Sequence, residues 1–164
     1  MAAAPVARPS SRQGPAWSGR ASQHRRRQVA GGGPEHDAIN ALWESLVEVL
    51  RAIESPSSAL LCTADGVLVA AHGHARTDLP TVAAEVGTAF ATRVPPTAAD
   101  HVPGEVETVE LTAGQRHTVV ASVPGPPDAV YLLAVSAEGV SLPVLNAWTR
   151  HAAQDLREVL LSPA

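Results

Sequence analysis

The sequence contains no lysine, a single cysteine and few aromatic residues. The missing lysine excludes a phosphate-binding P-loop, because that glycine-rich turn ends in Lys followed by Ser or Thr. Cys62 alone cannot form an intramolecular disulfide, which excludes a secreted disulfide-bonded scaffold. Aromatic residues make up only 3% of the chain, so few side chains are available to stack on nucleic-acid bases.

Long apolar segments are also missing. The chain has no uninterrupted run of about 18 apolar residues, which a transmembrane helix needs. The N-terminal residues lack the apolar stretch of a signal peptide, and Arg25-Arg26-Arg27 is followed by no hydrophobic segment. We therefore expect a cytoplasmic protein that does not associate with membranes.

The net charge of −4 is divided unevenly along the chain. Residues 1–34 hold six arginines and no acidic residue, whereas residues 35–164 hold six arginines and all 16 acidic residues, a net −10. The first segment is rich in Ala, Pro, Ser and Gly, and its apolar content is too small to offset the entropy of ordering. The sequence predicts a disordered basic tail at 1–34 and one domain at 35–164. The acidic character of that domain excludes nucleic-acid binding by it.

Hydrophobic periodicity predicts three helices and five strands. The predicted elements are a helix at 37–54, strands at 59–63 and 67–72, a helix at 78–93, strands at 105–112, 116–123 and 129–136, and a helix at 142–161. Short turns between successive strands favour antiparallel pairing. The sequence thus predicts an α+β fold, with helices packed on a five-stranded antiparallel sheet.

Local signals refine the ends of these elements. Asp37, Asp78 and Ser141 are the expected helix N-caps. Asp65-Gly66 predicts a tight hairpin turn in which both residues adopt positive φ. Because the runs on either side of that turn are continuously apolar, we expect both strands near the middle of the sheet.

The second helix has an unusual distribution of small residues. At about 100° per residue, Ala83, Ala84, Gly87 and Ala91 form a stripe beside the larger apolar residues. A glycine inside a helix costs roughly 1 kcal/mol relative to alanine, and close approach of another backbone can justify it. Two interpretations follow: the face packs on the same helix of a second subunit, or it packs closely on its own sheet.

Few residues suggest catalysis or metal binding. His72 and His74 lie two residues apart without further ligands at a metal-binding spacing, so we predict no metal site. His151 and Asp155 are four residues apart on a predicted helix and can form an ion pair. No nucleophile or cofactor motif accompanies them, which favours a structural pair over an acid–base pair and predicts a protein that is not an enzyme. Cys62 lies within an apolar strand and is interpreted as a core residue.

From residue 37 to 160 the chain resembles the roadblock/dynein light-chain family. The resemblance depends on the order of the elements, on the segment Leu-Leu-Cys-Thr-Ala-Asp-Gly-Val-Leu-Val-Ala at 60–70, on the alanine-rich middle helix and on Glu-Thr-Val-Glu-Leu at 107–111. Profilin-like domains share parts of this pattern. The resemblance implies a homodimer that regulates or scaffolds a small Ras-like GTPase in a bacterial signalling or polarity system, with no cofactor and no catalytic centre. It also implies a dimer interface, which transfers to Ala84, Gly87, Thr88 and Ala91 of the helix and to Val106 and Thr108 of the next strand.

One departure from the family pattern concerns that strand. Glu105, Glu107 and Glu110 would place three carboxylates on an edge that pairs with its own copy, where like charges repel. We therefore expect the helix to contribute more to the dimer than the strand. The alternative function is a small-ligand sensor domain, which requires a large pocket between the sheet and a helix.

Overall fold

Three helices and five strands follow one another in the predicted order. The computed structural model describes residues 34–94 and 104–162, which belong to one compact unit. The predicted tail at 1–34 lies almost entirely outside the described residues. The elements are α1 (Pro34–Arg51), β1 (Ser57–Thr63), β2 (Leu68–His72), α2 (Leu79–Arg93), β3 (Thr108–Ala113), β4 (Arg116–Gly125), β5 (Ala129–Glu138) and α3 (Leu142–Leu161).

The five strands form one antiparallel sheet in the order β2-β1-β5-β4-β3, which confirms the predicted fold class. The strands β3, β4 and β5 form a meander, and β1 pairs with β5 along its whole length. Within residues 34–94 and 104–162, this pairing leaves β2 with β1 as its single neighbour in the sheet. The prediction that both strands of the first hairpin lie near the middle was therefore right for β1 and wrong for β2.

The sheet is covered by helices on both faces. Leu46 of α1 and Leu145 of α3 pack with Leu61 in one core cluster, whereas Val86 of α2 packs with Leu60 in a second cluster. Successive residues of β1 thus enter different cores, since side chains alternate between the faces of a sheet. Burial on both faces explains why this strand is a continuous apolar run in the sequence.

The helix ends show one wrong N-cap and two correct ones. Helix α1 begins at Pro34, a residue favoured in the first turn of helices, so Asp37 lies within the helix and does not cap it. Asp78 and Ser141 occupy the N-cap positions of α2 and α3, although neither side chain bonds to its helix. Helix α1 ends at Arg51, earlier than predicted, and the following residues form short turn hydrogen bonds to its last carbonyls.

The turn between β1 and β2 differs from the expected geometry. Gly66 has a φ of +89°, but Asp65 is not among the described non-glycine residues with positive φ. The Thr63 hydroxyl donates to the Asp65 carboxylate and accepts the N–H of Val67 at 2.9 Å. The Thr63 N–H also donates to the carbonyl of Val67 at 2.8 Å. Because the threonine side chain closes the turn, only one residue needs the left-handed conformation.

Candidate functional site

Helix α2 has one side buried against the sheet and another side exposed to solvent. Ala83 and Val86 are buried against the sheet, and Leu79, Val82 and Phe90 are half-buried around them. The larger apolar stripe therefore faces the core. On the other side of the helix, Thr81, Ala84, Glu85, Thr88 and Ala91 are exposed and could contact another molecule.

The predicted small-residue stripe is divided between two environments: Ala84 and Ala91 are exposed, whereas Ala83 is buried in the core and Gly87 is half-buried. Ala84, Thr88 and Ala91, three of the predicted interface residues, are exposed. Ala84 and Thr88 help to line a wide, shallow depression of about 650 Å³ along the helix. Its lining residues are Pro80, Thr81, Ala84, Glu85, Thr88 and Ala89. A surface with one carboxylate and no bulky side chain allows another helix to approach closely.

Gly87, also predicted in the interface, has a contact inside its own chain. A Cβ atom at this position would lie 3.2 Å from the carbonyl oxygen of Ala64, the residue after β1. The close approach of α2 to this backbone accounts for a glycine in the helix. A role for Gly87 in a dimer stays a prediction.

The predicted strand residues lie at the start of β3. Thr108 is its first residue and pairs with Ala121, but Val106 precedes the strand and packs against the core on the α1 and α3 side. The Glu107 N–H donates to the Ser122 hydroxyl at 2.9 Å, while the Ser122 N–H donates to the Glu107 carbonyl at 2.8 Å. A side chain thus replaces a backbone carbonyl in the ladder. The prediction that the strand includes Val106 was wrong for this reason.

The carboxylates near this edge are also arranged differently from the prediction. Glu105 and Glu107 precede β3, and only Glu110 lies within it. The Asn146 side chain of α3 donates a hydrogen bond to the Glu110 carboxylate. The expected row of three carboxylates along the strand is therefore reduced to one, which is held against α3.

His151 and Asp155 form the predicted pair on α3. Their Nε2 and Oδ2 atoms are 3.6 Å apart, and the His151 side chain is 77% exposed. The pair borders an apolar groove of about 230 Å³ between α1 and α3, lined in part by Trp43 and Trp148. An exposed pair of this kind contributes little to stability and has no shielded environment for acid–base chemistry.

Other titratable candidates have environments that disfavour their charged forms. Burial and the nearby Asp65 raise the pKa of the buried Cys62 thiol to about 11, as expected for a core residue. Burial lowers the pKa of both His72 and His74, with further lowering by Arg51 and Arg116 respectively. Across residues 34–94 and 104–162, no three His, Cys, Asp or Glu side chains form a group suited to a metal ion.

Comparison with solved structures decides the fold family. The Roadblock/LC7 domain from Streptomyces avermitilis superimposes with a TM-score of 0.57 and 19% sequence identity, covering 71% of this chain and 94% of that one. The chain has the Roadblock/LC7 fold. The predicted family resemblance is confirmed at the level of this fold. Scans of the sequence against family models and against curated proteins found no match.

Two further Roadblock-type structures show the same relationship. The gliding protein MglB from Thermus thermophilus has a TM-score of 0.54 and 18% identity, covering 79% of this chain and 93% of that one. An MglB structure with a tetrameric arrangement has a TM-score of 0.52 and 19% identity, covering 79% and 92%. At these identities the likeness establishes the shared architecture.

Sequence reasoning missed two surface features of this domain. The residues Val67, Leu68 and Val69 are well exposed, although they were assigned to the interior of the sheet. The groove beside Trp43 and Trp148 was missed because both residues satisfy the apolar periodicity of their helices. A useful signal was the size of these two side chains, since a large indole at the border of an apolar helical face often remains partly exposed. No helix in the described parts of the chain is long and apolar enough to span a bilayer.

Proposed function

We propose that this protein is a dimeric regulator or scaffold of a small Ras-like GTPase. The observation that carries the proposal is the Roadblock fold with an exposed, small-residue surface on α2. The family resemblance of the sequence supplies the class of partner. The proposal places the protein in the cytoplasm, in a bacterial signalling or polarity system.

In this proposal the dimer forms mainly through α2. Ala84, Thr88 and Ala91 are exposed and small, so two copies of the helix can approach closely over this surface. Gly87, which borders the same stripe, keeps the helix close to its own β1–β2 turn. The β3 edge contributes less, because its Glu110 would repel the same residue of a copy paired directly opposite.

A Roadblock-type regulator needs no catalytic centre of its own. The His151–Asp155 pair is open to solvent, and the Cys62 thiol is buried and protonated at neutral pH. The chemistry of nucleotide hydrolysis would therefore come from the GTPase, whose groups the dimer positions. This part of the proposal is independent of whether binding accelerates hydrolysis or only recruits the GTPase.

The test is binding to small GTPases encoded near this gene, loaded with GDP or with a non-hydrolysable GTP analogue. We expect calorimetry to show binding that depends on the nucleotide. Ala84→Arg places a long charged side chain on the α2 surface and should abolish binding and dimerisation. Ala41→Arg, at an exposed position of α1, is the matched control. Equal binding of both nucleotide states would remove the regulatory role and leave a scaffold, and no binding would overturn the proposal.

The sensor alternative gains no specific support. The two depressions described above lie along the outside of α2 and between α1 and α3. A sensor domain was expected to hold its ligand between the sheet and a helix. We therefore do not develop it as a second function.

A further inference from the structure

The β2 edge of the sheet is apolar and open. Strand β2 pairs with β1 on one side, and its other side has no strand neighbour among the described residues. Val67, which immediately precedes β2, and Leu68 and Val69, its first two residues, are 59%, 41% and 48% exposed. Three consecutive aliphatic side chains are thus partly exposed at the start of a strand that has a free side among the described residues.

This edge has few of the devices that normally prevent strand addition. Edge strands of stable monomers usually carry charged side chains, proline or bulges. Residues 66–71 contain no charged residue and no proline. The protective features that β2 does have are its length of five residues and one irregularity in register near Val69. His72, at the end of the strand, has a lowered pKa because it is partly buried and lies near Arg51.

The opposite edge of the sheet is better protected. Strand β3 carries Glu110, whose carboxylate is bonded by the Asn146 side chain of α3. Two more carboxylates, Glu105 and Glu107, precede the strand. The two edges of one sheet therefore differ in charge, and β2 is the edge better suited to pairing.

We propose that β2 is a self-association edge that pairs antiparallel with β2 of a second copy of this chain. A two-fold antiparallel pair places one segment against itself, so any charge in that segment would face the same charge nearby. The segment 66–71 avoids this repulsion and places aliphatic side chains against aliphatic side chains. A second copy fits these requirements because it offers the same uncharged strand.

This interface is separate from the dimer proposed through α2. Its assembly does not depend on a GTPase, so the inference goes beyond the proposed function. Two different isologous interfaces on one chain give either a closed tetramer or an open filament, depending on the angle between their two-fold axes. The β2 interface would then join α2-paired dimers into a larger assembly.

The experiment is sedimentation equilibrium of the full chain from micromolar to hundreds of micromolar concentration. Val69→Lys adds a charge to the edge, and Val144→Lys adds the same charge at a position of α3 that is 41% exposed. We expect Val69→Lys to weaken one association step by roughly tenfold or more, because a lysine would have to be desolvated opposite its copy. Val144→Lys should match the wild type.

Two additions make the result decisive. Ala84→Arg tests the α2 interface and Val69→Lys tests the β2 interface, so the loss of either association step can be assigned to one interface. Val67→Lys, at the most exposed of the three positions, replaces Val69→Lys if urea unfolding shows that the latter is unstable. Hydrogen exchange at residues 67–72 should slow with concentration in the wild type and in Val144→Lys only. Unchanged association in both β2 variants would overturn the proposal. That result would also be expected if β2 pairs with a different protein and not with its own copy.

Discussion

Gly87 in α2 lies so close to the carbonyl oxygen of Ala64, the residue after β1, that a side chain at this position would make an unusually tight contact. A Cβ atom on residue 87 would lie 3.2 Å from the Ala64 carbonyl oxygen. Ala64 is itself held in place, because its N–H donates to the carbonyl of Val130 at 2.9 Å. The space between the helix and the turn therefore leaves little room for a side chain at residue 87. A substitution at Gly87 should reveal how strongly this contact constrains the domain.

We predict that Gly87→Val destabilises the domain, although valine is the better helix former. The branched side chain would be forced against the Ala64 carbonyl, and overpacking of this kind costs about 1–3 kcal/mol. Ala41→Val, at an exposed position of α1, should cost only the helix propensity difference of about 0.6 kcal/mol. Urea unfolding of both variants at low protein concentration measures the difference. A smaller loss for Gly87→Val than for Ala41→Val would contradict the predicted contact.

The thiol of Cys62 should make stability depend on pH in the alkaline range. Its pKa is about 11 in the folded chain, against an ordinary value of 9.0. Between these values the unfolded chain loses the thiol proton while the folded chain keeps it. The free energy of unfolding therefore falls as the pH rises from about 9 to 11.

Cys62→Ala isolates this contribution. The variant should show a shallower decline in unfolding free energy over the same pH range, whatever its absolute stability. In the folded wild type, the thiol should also react slowly with a disulfide reagent at neutral pH and rapidly in urea, since the thiolate is the reactive species. Identical pH slopes for the wild type and Cys62→Ala would contradict the raised pKa.

The order and type of all the elements could be predicted from local patterns. The apolar spacing of Leu42, Leu46 and Leu50 indicates α1, and the double burial of β1 appears as an unbroken apolar run. These signals are local because helices and strands place side chains with fixed periods. The fold class and the family resemblance depended on such signals.

The lateral position of β2 could not be predicted in the same way. Its apolar run resembles that of β1, but pairing between β1 and β5, far apart in sequence, leaves β2 at the edge. The start of β3 was missed for a related reason, because the Ser122 hydroxyl takes the Glu107 N–H. Strand order and ladder interruptions are set by partners distant in sequence, which periodicity does not report.

His74 should titrate below the ordinary range for histidine. Burial lowers its pKa most, and Arg116 lowers it further, while Asp78 acts in the opposite direction. Because the unfolded chain takes up this proton near pH 6.5 and the folded chain only at lower pH, stability falls as the pH drops below 6.5. NMR titration of the ring protons measures the pKa, and His74→Gln identifies the signal. Arg116→Gln should raise the pKa of His74 toward its ordinary value, and a wild-type pKa above 6.5 would refute the assignment.

Ser122 joins the segment before β3 to β4, and its hydroxyl should contribute measurably to stability. Ser122 is 5% exposed, and its hydroxyl accepts the Glu107 N–H at 2.9 Å. Ser122→Ala removes this buried acceptor, which should cost about 1–3 kcal/mol. Ser136→Ala removes a half-exposed hydroxyl that bonds to the Thr118 hydroxyl at 2.7 Å, and it should cost less. Urea unfolding gives both values, and faster hydrogen exchange at Glu107 in Ser122→Ala would locate the effect. An equal or smaller loss for Ser122→Ala would mean that Glu107 does not depend on the hydroxyl and that other contacts hold the start of β3.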